Sequence, residues 1–96
     1  MRLREELDRL RPQILAAAAA NGADAVRVFG SVARDEESAD SDIDFLVALR
    51  PGRSLVDLTR LELQLELLLG RRVDVVTEDS LHEPIRSTAL RQAIRV

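Results

Sequence analysis

A chain of 96 residues has room for one hydrophobic core and no separate substrate domain, and it holds no run of roughly eighteen apolar residues that could span a membrane. A net charge of −3 and only two aromatic residues, Phe29 and Phe45, argue against direct nucleic-acid binding, which calls for a basic face and stacking platforms. The absence of cysteine removes disulfides, thiolate metal sites and cysteine nucleophiles, and the Met-Arg-Leu-Arg-Glu-Glu start lacks the apolar block of a signal peptide, so a cytoplasmic protein is expected.

Leu3, Leu7 and Leu10 recur at helical spacing and predict an amphipathic first helix. Pro12 cannot continue it and is expected to open a second helical segment, which the alanine run carries to Asn21-Gly22. The β-rich run Ala25 to Phe29 predicts a buried strand. Gly30 to Arg34 reads as one helical turn with free N–H groups, and Asp35 to Ser41 as a loop. Asp42 to Leu49 is the second expected strand, with Ile43, Phe45 and Val47 on one face and Asp42, Asp44 and Leu46 on the other.

Pro51-Gly52 marks a turn, and Ser54 is placed to cap a helix from Leu55 to Leu69 that Gly70 ends. On a helical wheel Leu55, Leu58, Leu61, Leu65, Leu68 and Leu69 share one wide sector, while Val56, Leu63 and Leu67 form a second stripe. One stripe must face the sheet. The other needs either the N-terminal helices or a second chain, which leaves a homo-oligomer open. Arg72 to Thr77 is the third strand, with Asp74 on the face opposite Val73 and Val75. Pro84 suits the first turn of a last helix, and Ile94-Arg95-Val96 an edge strand. Residues 1–96 thus form a single α+β domain, with helices packed against a small mixed β-sheet.

The chemistry concentrates in the pattern Gly30-Ser31, ten residues, then Asp42-Ile43-Asp44. Free N–H groups at a helix start attract phosphate, glycine permits close approach, and the serine hydroxyl adds a donor. Asp42 and Asp44, about 7 Å apart along a strand, are hard oxygen ligands of the kind Mg²⁺ takes beside substrate phosphates. Two such ions could activate an attacking hydroxyl and stabilise a leaving diphosphate. Asp74, alone among apolar neighbours, is the best third carboxylate, although Arg71 or Arg72 could pair with it structurally. Arg34 could reach a phosphate or instead pair with the acidic run from Asp35 to Glu37. Ser38 and Ser41 read as loop hydrogen-bonders, and His82 as structural or solvent-facing.

Phe29-Gly30-Ser31-Val32-Ala33-Arg34, Ser41-Asp42-Ile43-Asp44 and Arg72-Val73-Asp74-Val75-Val76 together resemble the signature of the minimal nucleotidyltransferases, the smallest members of the polymerase-beta-like superfamily. The resemblance covers nearly the whole chain. It implies the nucleotidyltransferase fold, ATP as donor, Mg²⁺ on Asp42, Asp44 and Asp74, and triphosphate on Gly30 and Ser31. It further implies an antitoxin that adenylylates a tyrosine of a HEPN-domain ribonuclease toxin. The alternatives are an antitoxin that only binds, or transfer to a small molecule, whose enzymes usually carry an extra domain. One departure stands out: Asp35 occupies a position where the family commonly has glycine, which adds negative charge near the triphosphate. The sequence contains no tyrosine, so an acceptor tyrosine has to come from another protein.

Overall fold

The computed structural model describes residues 2–34, 36, 38 and 41–96. Helix α1 (Leu3–Arg9) and helix α2 (Arg11–Ala20) meet at Leu10, with proline in the first turn of α2, where its missing N–H costs nothing. Gly22 follows at φ +70°, so the chain reverses into strand β1 (Ala23–Phe29). The buried Asn21 beside it donates from Nδ2 to Ala17 O and to Gln64 Oε1, each at 2.9 Å, which ties this corner to the long helix.

Strand β2 (Ile43–Leu49) is followed by helix α3 (Leu55–Leu69), strand β3 (Val73–Thr77), a short 3-10 turn (Glu78–Ser80), helix α4 (Ile85–Gln92) and strand β4 (Ile94–Arg95). Helix α3 has the expected ends. Ser54 and Asp57 form a capping box, and Gly70 closes the helix at φ +66°.

The sheet order is β3-β2-β1-β4, with β2 and β3 parallel and the other pairs antiparallel. One face carries Val28, Ile43, Phe45, Val47, Val73 and Val75, and it packs with Leu3, Leu7, Ile14, Leu58, Leu61 and Leu65 into the main core. This burial dominates stability, at roughly 25 cal/mol per Å² of apolar surface removed from water. The second face carries Asp44, Leu46 and Asp74.

Strand β3 is an edge, and α3 covers part of it. Glu66 Oε2 accepts from Val73 N at 3.1 Å and Glu62 Oε2 from Val75 N at 3.2 Å. These amides flank Asp74, and pairing them leaves this edge less open to a foreign strand.

One expectation changes, and one open alternative is settled. The stripe of Val56, Leu63 and Leu67 is not covered by the N-terminal helices: Val56 is 64% and Leu67 88% exposed, and Leu55, expected on the inner sector, is also exposed. The N-terminal helices reach α3 near Asn21 and Gln64 instead, leaving this stripe outward. Gly30 to Arg34 forms the single turn expected, closed in the helical manner by Arg34 N donating to Gly30 O at 3.1 Å. Its inward residue Val32 is fully buried.

Candidate active site

The turn at Gly30 to Arg34 sits where β1 ends. Gly30 has φ +73°, a left-handed conformation that L side chains rarely adopt, and a Cβ there would collide with Asp44 Oδ2. The glycine is thus required both by its backbone and by the carboxylate beside it. Among the described residues, the N–H groups of Ser31, Val32 and Ala33 have no acceptor. One turn has little macrodipole, so any attraction for an anion here rests on the amide donors themselves.

Asp44 lies one strand over. Phe29 pairs in register with Asp44 across β1 and β2, and Asp44 with Asp74 across β2 and β3. The three side chains therefore form a row across one sheet face. Asp42 lies just before β2, exposed, with its Oδ1 3.5 Å from Arg72 Nε. Arg72, one of the two arginines that could have paired with Asp74, thus pairs with Asp42. Arg71 instead donates to Ser38 O at 2.9 Å and Ser41 O at 3.3 Å, holding the end of the loop. Ser38 N donates to Ser41 Oγ at 2.8 Å, as its loop role required. His82 is exposed, with its carbonyl accepting from Arg86 N.

Burial pushes the Asp44 carboxyl above its ordinary value, and the charges of Asp74 and Asp42 push it further, with Arg34 opposing. Gly30, Ser31, Arg34, Ser41, Asp42 and Asp44 line one open polar cleft. Arg34 divides itself between Glu36, whose Oε2 is 3.1 Å from its Nε, and Gln92, whose Oε1 accepts from Nη1 at 3.2 Å. Both readings of Arg34 therefore have a physical basis: it faces the cleft and it pairs with the acidic run. The glycine-replacing Asp35 lies outside the described residues, as does Glu37.

The donor set suits a divalent cation, because hard carboxylate oxygens that raise one another's proton affinity are relieved by positive charge. Among the described residues no three such side chains stand in metal-holding geometry, and Mg²⁺ commonly takes only one or two carboxylates, with substrate phosphates and water as its other ligands. Sequence reasoning missed Arg72 as the partner of Asp42, Gln92 as the partner of Arg34, and Glu62 and Glu66 as the clasp beside Asp74. Only Glu62 and Glu66 left a trace, as two carboxylates one helical turn apart.

The model of the nucleotidyltransferase domain matches residues 1–96. The chain belongs to the nucleotidyltransferase family. It is 38% identical over 90 residues, 94% of its length, to a presumed protein adenylyltransferase of Methanocaldococcus jannaschii, of which it covers 97%. It is 45% identical over 71 residues to the protein adenylyltransferase MntA of Thermococcus cleftensis, covering 74% of this chain and 72% of that one. A solved structure described as a presumed minimal nucleotidyltransferase superposes at TM-score 0.85 with 51% identity, over 96% of this chain and 94% of that one. A toxin–antitoxin crystal structure with AMP-PNP shares the fold at TM-score 0.74 and 21% identity, over 88% of this chain and 69% of that one. The four-stranded mixed sheet with its helices is therefore the minimal nucleotidyltransferase fold. No helix among the described residues is long and apolar enough to cross a membrane.

Proposed function

We propose that this nucleotidyltransferase moves AMP from ATP to a hydroxyl of a partner protein, a tyrosine of a HEPN ribonuclease toxin, and acts as its cytoplasmic antitoxin. The observation that carries the reading is the row Phe29–Asp44–Asp74, with Gly30 pressed against Asp44 at the mouth of the cleft. The named relatives support adenylylation of protein as the chemistry.

In this reading the amides of Ser31 to Ala33 and the Ser31 hydroxyl hold the outer phosphates, with Arg34 adding a cation. Asp42, Asp44 and Asp74 would hold Mg²⁺, which when bound supplies neutralising charge for the phosphate oxygens. Asp74 takes the proton of the acceptor hydroxyl. The acceptor oxygen forms a bond to the α-phosphorus as the bond from that phosphorus to the bridging oxygen breaks, so AMP joins the acceptor and diphosphate leaves. Negative charge held by the carboxylates keeps the attacking oxygen nucleophilic, and the phosphate-side donors stabilise the leaving group.

The test is transfer of label from α-labelled ATP to the toxin in the presence of Mg²⁺. Asp42→Asn and Asp44→Asn should each cut transfer by roughly a hundredfold or more. Label appearing on an aminoglycoside but never on protein would replace this reading with small-molecule transfer.

A second reading, an antitoxin that works by binding alone, is favoured by the exposed Leu55, Val56, Leu63 and Leu67. If both asparagine variants neutralise the toxin as well as the parent chain does, binding is the mechanism.

A further inference from the structure

The turn from Gly30 to Arg34 is satisfied on one side only. Gly30 O accepts from Arg34 N at 3.1 Å, and Ser31 O accepts from Glu36 N at 2.8 Å. Ala33 O accepts from Nη2 of Arg4, a side chain 29 residues earlier in the chain. These carbonyls are occupied by the protein itself, while the amides of Ser31, Val32 and Ala33 have no acceptor among the described residues. Peptide groups whose oxygens are taken up inside the fold keep their N–H groups for a partner outside it. Of these carbonyl contacts, only the one from Arg4 is made by a side chain and by another element.

Helix α1 delivers that side chain. Leu3 and Leu7, one helical turn apart, are both buried in the core and fix the rotation of the helix. Arg4 follows Leu3 and is itself partly buried, with its Nε fully enclosed and without a hydrogen-bond partner. Asp8 stands one helical turn further on, yet the guanidinium bonds the Ala33 carbonyl and makes no ion pair among the described residues. A charged donor holds a carbonyl more strongly than a neutral one does. The Ala33 carbonyl shares its peptide plane with Arg34 N, the group that closes the turn on Gly30 O. One bond from Arg4 therefore fixes the closing plane of the turn and the point from which the Arg34 side chain leaves.

We infer that Arg4 is a positioning residue for the nucleotide: it holds the Ala33 carbonyl away from the cleft, so that the turn meets phosphate with amides alone. The inference rests on the reading of this turn as the phosphate site. Arg4 is not among the residues that line the cleft, so it acts through the turn and not by touching the ligand. Without it the closing plane is free to rotate, and a carbonyl oxygen swung toward the cleft would repel the phosphate oxygens.

The test is calorimetry of ATP and of inorganic tripolyphosphate, each with Mg²⁺, on the full chain below its melting temperature. Arg4→Met keeps an unbranched stem without the charged fork. It should weaken both ligands by the same factor, roughly tenfold, the scale of one hydrogen bond to a charged group. Arg4→Lys keeps the charge and a donor without the planar fork, and should recover part of the loss. It carries the comparison if Arg4→Met does not fold. Arg9→Met removes the same charge from an exposed position on the same helix and should leave both affinities unchanged. In the ligand-free chain the amide resonances of Ser31 to Arg34 should move in Arg4→Met, return part-way in Arg4→Lys and stay in place in Arg9→Met. Wild-type affinity in Arg4→Met, equal losses in Arg4→Met and Arg9→Met, or unmoved turn resonances overturn the positioning role while leaving the phosphate site standing. Binding of neither ligand by the wild-type chain overturns the reading of the turn, and the inference with it.

Discussion

Asp44 on β2 and Asp74 on β3 are direct register partners in a parallel pair, so two carboxylates leave the same sheet face side by side. Like charges in this arrangement repel, and Asp44 is half-buried as well. The fold therefore carries a locally unfavourable charge arrangement at its candidate site, which a proton, a neutral side chain or a cation would relieve.

The pH dependence of stability should show this. The folded-state pKa of Asp44 is raised above 3.8, so between that value and the raised one the folded chain holds more protons than the unfolded chain. Stability contributed by this group then falls as pH rises through the window and stays reduced above it. Asp44→Asn should raise the melting temperature at pH 7 in metal-free buffer, with the gain disappearing at acid pH. Thermal melts across pH check it; a lower melting temperature for the variant at neutral pH would contradict the sign.

Adding Mg²⁺ should stabilise the wild-type chain, by about 2.7 kcal/mol at a hundred times the dissociation constant. Asp44→Asn should gain much less. Melting curves with and without a chelator make the comparison, and equal gains in both chains would place the ion elsewhere.

Two glycines separate conformation from contact. Gly70→Ala meets only the left-handed backbone penalty, because nothing lies within 4 Å of the added Cβ, and should cost about 1 kcal/mol with activity intact. Gly30→Ala meets the same penalty and in addition drives a methyl into the Asp44 carboxylate. It should cost more stability and abolish nucleotide transfer. Denaturant unfolding paired with a transfer assay distinguishes the two.

The two stripes of α3 should respond oppositely. Leu65→Ala removes a buried side chain from the core and should cost about 2–5 kcal/mol. Leu67→Ala, at 88% exposure, should stay within about 0.5 kcal/mol of the parent in the isolated chain. Urea unfolding of both variants is sufficient; a large loss for Leu67→Ala would mean that the isolated chain already buries this stripe in an oligomer.

Glu62→Ala and Glu66→Ala each leave an edge amide of β3 without its carboxylate acceptor. Each should cost roughly 1–3 kcal/mol, and Gln at either position should restore part of the loss because its carbonyl still accepts. Hydrogen exchange at Val73 and Val75 reports the change directly. Unchanged protection there would show that these contacts do not hold the strand.

Local signals were readable where a local rule acts. Ser54, Asp57 and Gly70 end α3 as their capping chemistry requires, and the alternation of Ile43, Phe45 and Val47 against Asp44 follows from the two-residue period of a strand. The strand bounds moved by only one or two residues, the usual uncertainty at element ends. The single turn at Gly30 was readable too, but not that Val32 within it is drawn into the core. The pairing of Asp42 with Arg72 was harder still, since 30 residues separate them in the chain.

By itself the sequence determined the order of elements, the spacing of glycine, serine and aspartates, and the family to which these belong. Those features are set by neighbours along the chain, through backbone sterics, capping and hydrophobic period. Only the tertiary structure decided that Phe29, Asp44 and Asp74 fall in one row, that Gly30 presses on Asp44, and that Arg4 of α1 reaches the turn at Ala33. It also decided which stripe of α3 turns inward. Each of these depends on the register between segments far apart in the chain, where the burial of a common core outweighs any local preference.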